Sequence, residues 1–121
     1  MIILDLTTRK LEIVLAGAVT ANQLQITVTY FDQTPKQSDL TKIFTAVSAS
    51  NSTTDATILA APPEINVIRN VKTITVYNKD TASATPTIKI DDSGTETILV
   101  KQVLLTTETL HYEDGSGWQI I

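Results

Sequence analysis

Apolar and polar residues alternate along most of the chain, and this alternation predicts β-strands. The clearest example starts at Leu24 and ends at Tyr30. Every second residue there is aliphatic or aromatic, and the positions between are mostly threonine. Because side chains at i and i+2 lie on the same face of a strand, we expect one face to be buried. The opposite, threonine face should meet solvent or a partner.

Shorter segments with the same pattern, or with short apolar runs, predict further strands. They cover residues 2–6, 11–15, 43–47, 57–59, 67–77, 87–90, 96–105, 110–112 and 118–121. The run 96–105 is long for one regular strand, so we expect a β-bulge in it. The sequences DDSG at 91–94 and DGSG at 114–117 are typical of tight turns that join neighbouring strands.

Many short strands separated by turn signals predict an all-β fold, specifically a jelly-roll-like β-sandwich with an N-terminal β-strand arm or hairpin. Long apolar segments with helical spacing are missing, so we expect little helix. A length of 121 residues corresponds to a single domain. The polar stretch 32–55 separates an N-terminal strand segment, residues 1–33, from the core of the sandwich, residues 56–121.

The N-terminal segment carries a strongly apolar face. Its members are Leu4, Leu6, Leu11, Ile13 and Leu15. Two or three strands cannot form a stable core alone, and a large apolar face left in water favours aggregation. We therefore expect this face to be covered by the sandwich or by a neighbouring chain, and we predict that these five residues form an interface between subunits.

A second set of apolar side chains is predicted to form the core of the C-terminal strands. It comprises Ile74, Val76, Ile88, Ile90, Val100, Leu110, Tyr112 and Trp118. Each residue lies on the apolar side of an alternating strand or beside a closing turn. Truncation of a packed member such as Ile90 to alanine is expected to cost about 2–5 kcal/mol.

Composition narrows the function. The 21 threonines favour strands over helices. A net charge of -4 and an isoelectric point near 4.7 argue against nucleic acid or an anionic membrane as the partner. The absence of cysteine excludes a disulfide framework and a thiolate metal site. No apolar run reaches the roughly 20 residues that span a bilayer, and the first residues do not resemble a signal peptide.

Candidate chemistry is sparse. Asp91, Asp92 and Glu96 surround a glycine turn and offer oxygen ligands of the kind that calcium binds, although ordinary hairpin chemistry explains the same residues. The single histidine, His111, should point away from the core, opposite to Leu110. Motifs for a nucleophile elbow or a phosphate loop are missing. We therefore expect no enzyme activity, no cofactor and no required metal.

Three segments resemble a family of small virion proteins of tailed phages. They are LEIVLAGAVTANQLQITVTY (11–30), VKTITVYNKDTASATPTIKI (71–90) and TLHYEDGSGW (109–118). The resemblance covers most of the chain, and least of it within 32–55. It implies a jelly-roll module that assembles on capsids as a decoration or cement protein, typically as a trimer.

The resemblance defines the expected partners and location. A capsid decoration protein would bind the major capsid protein or another virion protein, lie on the capsid surface, and pass through the host cytoplasm during assembly. Proteins of this type also occur in tails and fibres, so a tail or fibre component is an alternative. A module that binds host carbohydrate is a further alternative, because jelly rolls are common among lectins.

Overall fold

The computed structural model describes residues 1–35 and 42–121, and these residues form strands and turns without any helix. The predicted all-β fold is confirmed. The ten strands are β1 (Ile2–Leu4), β2 (Arg9–Leu15), β3 (Gln25–Gln33), β4 (Phe44–Ala49), β5 (Ala56–Leu59), β6 (Ile68–Tyr77), β7 (Pro86–Asp92), β8 (Thr95–Lys101), β9 (Thr109–Glu113) and β10 (Gly117–Ile120). Part of the predicted polar boundary, residues 36–41, lies outside the described residues.

The strands form two antiparallel sheets. Sheet A has the order β10-β9-β6-β3-β4, and β1 also pairs with β6. Sheet B has the order β5-β2-β7-β8. Only β3–β4, β7–β8 and β9–β10 are consecutive strands paired within one sheet, and every other connection changes sheet. This arrangement agrees with the predicted β-sandwich, whereas the strand order does not confirm a jelly-roll connection specifically.

The alternation in the sequence places aliphatic side chains between the two sheets. Ile26 and Val28 of β3 and Ile74 of β6 are fully buried on the inner face of sheet A. Leu11 and Ile88 are fully buried on the facing side of sheet B. Burial of this apolar surface supplies the main favourable term in folding, and it leaves the alternate positions of each strand for the two outer faces.

Two local predictions in sheet B are confirmed. The loop between β7 and β8 consists of Ser93 and Gly94, both with positive φ (51° and 97°). Two positive φ values in a two-residue hairpin loop are the signature of a type I′ turn. In β8, Leu99 is the extra residue between Ile98 and Val100, which produces the expected bulge.

The N-terminal segment packs on its own domain. Strand β2 lies inside sheet B, paired with β5 and β7, and β1 pairs with β6 of sheet A. Four of the five residues predicted to form an interface between subunits lie in the core of the same chain: Leu4, Leu11, Ile13 and Leu15. Only Leu6, which is 45% exposed, remains on the surface. The interface assignment is therefore corrected, because these strands complete both sheets instead of leaving the domain.

The predicted C-terminal core is buried in part. Five members are buried: Ile74, Val76, Ile88, Leu110 and Tyr112. The other three, Ile90, Val100 and Trp118, are partly buried and pack against the core from its margin. Val100 and Trp118 lie on the edge strands β8 and β10, whose inner faces are covered incompletely, and Ile90 lies near the end of the inner strand β7.

A buried carboxylate connects the loops at one end of the sandwich. Asp80, only 2% exposed, accepts hydrogen bonds from the backbone N–H groups of Thr20, Ala21 and Asn22 at 2.7–3.0 Å, and from that of Thr81. These bonds, led by the one from Thr20, outweigh the cost of burial and lower its pKa to about 2. The loop that follows β6 is thereby tied to the loop between β2 and β3.

Candidate interaction surfaces

Sheet A presents an outer face rich in hydroxyl groups. We call it the threonine face and define it by Thr27, Thr29, Thr45, Thr73, Thr75 and His111. The strand register aligns these residues in rows across β4, β3, β6 and β9. Since their sequence neighbours on each strand point into the core, the residues of the threonine face point outward.

Hydrogen bonds between neighbouring strands hold the threonine face in place. The hydroxyl oxygens of Thr29 and Thr73 lie 2.5 Å apart, and the Thr75 hydroxyl lies 3.2 Å from Nδ1 of His111. His111 is half-buried and lies on the face opposite to Leu110, as predicted. The face thus combines ordered hydroxyl groups with methyl groups, a mixture that can donate, accept and pack without bringing a charge out of water.

Charged side chains also lie on this side of sheet A, and they include Glu113, the last residue of β9, which is exposed and lies opposite Thr73 in the strand register. Lys72 lies over the ring of Phe31, 5.6 Å from its centroid, and its Nζ is 3.6 Å from a carboxylate oxygen of Asp114. Both members of this ion pair are partly exposed, so the pair contributes little to stability. Charge at the margin of a neutral surface favours orientation of a partner more than affinity.

Sheet B presents an outer face of a different kind. We call it the ionic cluster and define it by Lys10, Glu12, Asp55, Lys89, Asp91 and Glu96. At its centre, Nζ of Lys89 donates hydrogen bonds to Asp55 at 2.8 Å and to Glu96 at 2.7 Å. Lys89 is only 5% exposed, although it points away from the core, because its partners cover it.

The electrostatics of Lys89 follow from this geometry. Burial disfavours its charged form, but the bonds from the ammonium group to Asp55 and Glu96 outweigh that cost and raise the pKa above its ordinary value. The two carboxylates remain about 40% exposed, so water also solvates them. Lys89 is therefore charged at neutral pH and is the centre of the ionic cluster.

Three carboxylates of the ionic cluster lie close enough to share a cation. Oxygens of Glu12, Asp91 and Glu96 lie within 4.8 Å of one another. Lys10 lies among them, with its Nζ 3.2 Å from Glu12 and 4.0 Å from Asp91, and Lys89 bonds to Glu96. Two ammonium groups thus supply counter-charge inside the cluster, and a cluster of carboxylates alone does not define a metal site.

The predicted acidic group of Asp91, Asp92 and Glu96 is divided by the structure. Asp91 and Glu96 join the ionic cluster, and Asp91 also accepts a bond from the backbone N–H of Gly94 in the turn. Asp92 instead accepts hydrogen bonds from Thr8 at 2.6 Å and from Arg9 at 3.1 Å, and these two bonds lower its pKa. Adjacent strand residues point to opposite faces, which explains the division.

The aromatic side chains are engaged with one another or with cations. Tyr30 stacks on Phe44 with ring centroids 5.6 Å apart, and Tyr112 packs on Trp118 at 5.0 Å. Lys72 covers Phe31 as described above. Among the described residues only Tyr77 lacks such a contact, and sugar-binding sites usually need an open aromatic platform.

Two features of this geometry were missed by sequence reasoning. Alternation with Ile88 and Ile90 places Lys89 on the outer face, but its partner Asp55 is 34 positions away, so its burial could not be inferred from the strand pattern. Asp80 lies in a polar NKDT sequence that is typical of a turn. An Asn or Asp within a few residues of the end of a long strand is a usable signal for a side chain that bonds to loop backbone, although it does not tell which loop.

No known protein family, characterised protein or solved structure matches this chain significantly. The resemblance to phage virion proteins therefore stays a prediction from the sequence. None of the described residues forms a helix long and apolar enough to cross a membrane.

Proposed function

We propose that this protein is a structural component of a phage virion, namely a decoration or cement protein that binds and stabilises the lattice of the major capsid protein. It would act at the capsid surface, after assembly in the host cytoplasm, without catalysis and without a cofactor. The proposal starts from the resemblance of residues 11–30, 71–90 and 109–118 to such proteins. The structural observation that supports it best is the threonine face.

The threonine face suits repeated, moderate contacts. Hydroxyl and methyl groups can exchange water for partner contacts without removing a full charge from water, a step that is costly. A capsid offers many equivalent sites, so modest individual contacts gain strength wherever the copies are linked. A surface of threonines aligned across the middle of a sheet fits this use better than a deep pocket would.

The N-terminal apolar face no longer supports the expected trimer. The structural argument for a trimer assumed that neighbouring chains cover this face. Four of its five residues instead lie in the core of their own chain. The trimer implied by the resemblance stays a prediction, and the capsid proposal does not depend on it.

The location of the protein tests the proposal directly. Particles produced from the phage or prophage that encodes this chain would be purified, probed for the chain by mass spectrometry, and labelled with a specific antibody for electron microscopy. Label distributed over the head supports a decoration role. Label confined to the tail supports the alternative tail or fibre role, and absence of the chain from purified particles contradicts both.

A matched pair of variants tests the face. Thr75→Lys places a charge at the middle of the threonine face, and Thr57→Lys places the same charge on the exposed outer side of β5 in sheet B. Rebinding to particles that lack the protein should weaken by at least about tenfold for T75K and remain near wild type for T57K. Equal binding by both variants would show that the threonine face is not the contact.

A further inference from the structure

We propose that β4 is a docking edge for a second copy of this chain, and that two β4 strands pair antiparallel about a twofold axis at Val47. This inference goes beyond the proposed function, since it concerns contact between copies and not contact with a capsid. The dimer is an alternative to the trimer that the resemblance implies.

The first observation is that β4 has one side without a partner strand among residues 1–35 and 42–121. Within these residues it pairs with β3 alone, and it forms the last strand of sheet A. Val47, at its middle, is 77% exposed, and Phe44 is 38% exposed. Ile43, directly before the strand, is 61% exposed. An edge strand of this kind presents unpaired backbone N–H and C=O groups together with apolar side chains, and it is a template for another strand.

The second observation is that β4 itself carries none of the features that normally protect an edge, although Lys42, two residues before it, lies over the ring of Phe44. The sequence of β4 is FTAVSA, without a charge, a proline or a glycine. Natural edges avoid pairing through charge, proline, bulges or short length. A six-residue uncharged segment with β-branched and aromatic residues is, by contrast, typical of strands that pair with copies of themselves.

The other edges of the two sheets have such protection. Strand β8 carries Glu96, Lys101 and the bulge at Leu99. Strands β5 and β10 have four residues each and β1 has three, and β5 is soon followed by Pro62 and Pro63. The contrast singles out β4 among the edges of the described structure.

A second copy is the occupant that the residues of β4 favour. Antiparallel self-pairing about Val47 sets Val47 against its own copy, Thr45 against Ala49, and Ala46 against Ser48. No like charges meet in this register, and the most exposed apolar side chain of the strand becomes buried at the axis. Direct β-branched pairs of this kind stabilise a sheet. The twofold relation also closes, so it yields a dimer and not a filament.

The register keeps both threonine faces on one side. Positions 45, 47 and 49 of each copy point outward, like the paired positions of β3. Sheet A of one copy would therefore continue into sheet A of the other copy. The outward side chains of the two β4 strands would lie between the two threonine faces. The dimer would present twice the area of the threonine face in one plane.

The experiment uses the absence of cysteine from the chain. Val47→Cys is compared with Ile98→Cys, which changes an exposed β-branched residue on the edge strand of sheet B. Under mild oxidation, purified V47C should form a disulfide-linked dimer and I98C should remain monomeric on a non-reducing gel. Equal cross-linking of the two variants, or none for V47C, would overturn the twofold pairing.

Sedimentation gives the second readout. The wild-type protein should sediment as a concentration-dependent dimer of two 13.2-kDa chains, and Val47→Lys should be monomeric at the same concentration because two lysines would meet at the axis. Ile98→Lys, the matched control, should keep the dimer, and circular dichroism should show that both variants are folded. A wild-type monomer at the highest soluble concentration, a trimer, or a dimer that survives V47K contradicts the proposal. None of these outcomes alters whether the chain is found on virions.

Discussion

The two outer faces of the sandwich share the same strand geometry and differ in chemistry. The threonine face of sheet A carries hydroxyl and methyl groups, with short hydrogen bonds between neighbouring strands. The ionic cluster of sheet B carries four carboxylates and two lysines, and one lysine, Lys89, is almost fully covered by its partners. A partner would have to break ion pairs to bind sheet B, but it would displace only water from sheet A. Availability for binding therefore depends on what a surface already bonds to.

The largest expected effect tests the core that both faces share. Ile88 of β7 is fully buried, whereas Ile90 on the same strand is partly exposed. Ile88→Ala should lower the free energy of unfolding by about 2–5 kcal/mol, and Ile90→Ala by about 1–2 kcal/mol, because less surface and a smaller cavity are involved. Urea denaturation of both variants measures this difference. An equal loss at the two positions would mean that β7 is covered along its whole length and that the sheets meet differently.

The next effect disrupts the ionic cluster. Lys89→Met removes the central cation and leaves Lys10 with four carboxylates, so we expect a loss of about 1–3 kcal/mol in the free energy of unfolding. This is less than the cost of breaking a fully buried pair, because Asp55 and Glu96 are partly solvated. Lys101→Met, on the exposed side of β8, should change stability by no more than about 0.5 kcal/mol. A K89M variant as stable as wild type would show that sheet B does not depend on its ion pairs.

The pH dependence of the stability difference between wild type and K89M tests whether Lys89 itself is the stabilising group. The pKa of Lys89 is raised in the folded state, so its contribution is complete below the ordinary lysine pKa of about 10.4 and disappears as pH rises through the raised value. The stability difference between wild type and K89M should be constant from neutral pH to about pH 10 and should shrink above it. A difference that shrinks already near neutral pH would assign the effect to another group. Denaturation at several pH values measures it.

The smallest expected effect concerns the threonine face. The double variant Thr29→Val, Thr73→Val replaces both partners of one hydrogen bond by groups of similar shape, a change that is often nearly neutral. We expect a stability change within about 1 kcal/mol, together with weaker rebinding to particles. Loss of stability comparable to that of K89M would mean that the hydroxyl pair is a structural element, and the contrast between the two faces would then be wrong.

The sequence predicts strands well and their surroundings poorly, for a physical reason. Period-two alternation gives the buried face of β3, β6 and β9 directly, because one side of each strand must leave water. The same pattern at Leu11 and Ile13 shows that a face is covered, but not whether its own domain or a neighbour covers it. That distinction depends on pairing between β2 and β7, about 75 positions apart in the chain.

The candidate surfaces were predictable to a similar degree. The threonine side of β3 and the outward direction of His111 follow from alternation alone. The separation of Asp92 from Asp91 also follows from alternation, once both are assigned to β7 and not to the turn. The burial of Lys89 required β5 and β8 to bring Asp55 and Glu96 to the same place, and no local pattern contains that information.

The bonds made by Asp80 have a consequence for local opening of the chain. Surface loops normally exchange their amide hydrogens with solvent quickly, because small fluctuations expose them. The N–H groups of Thr20, Ala21 and Asn22 lie in such a loop and yet end on one buried carboxylate. Their exchange should therefore be as slow as that of the neighbouring strands, and Asp80→Ala should release all three together while β6 stays protected. We therefore expect the loop that contains Thr20, Ala21 and Asn22 to open only together with the segment that carries Asp80.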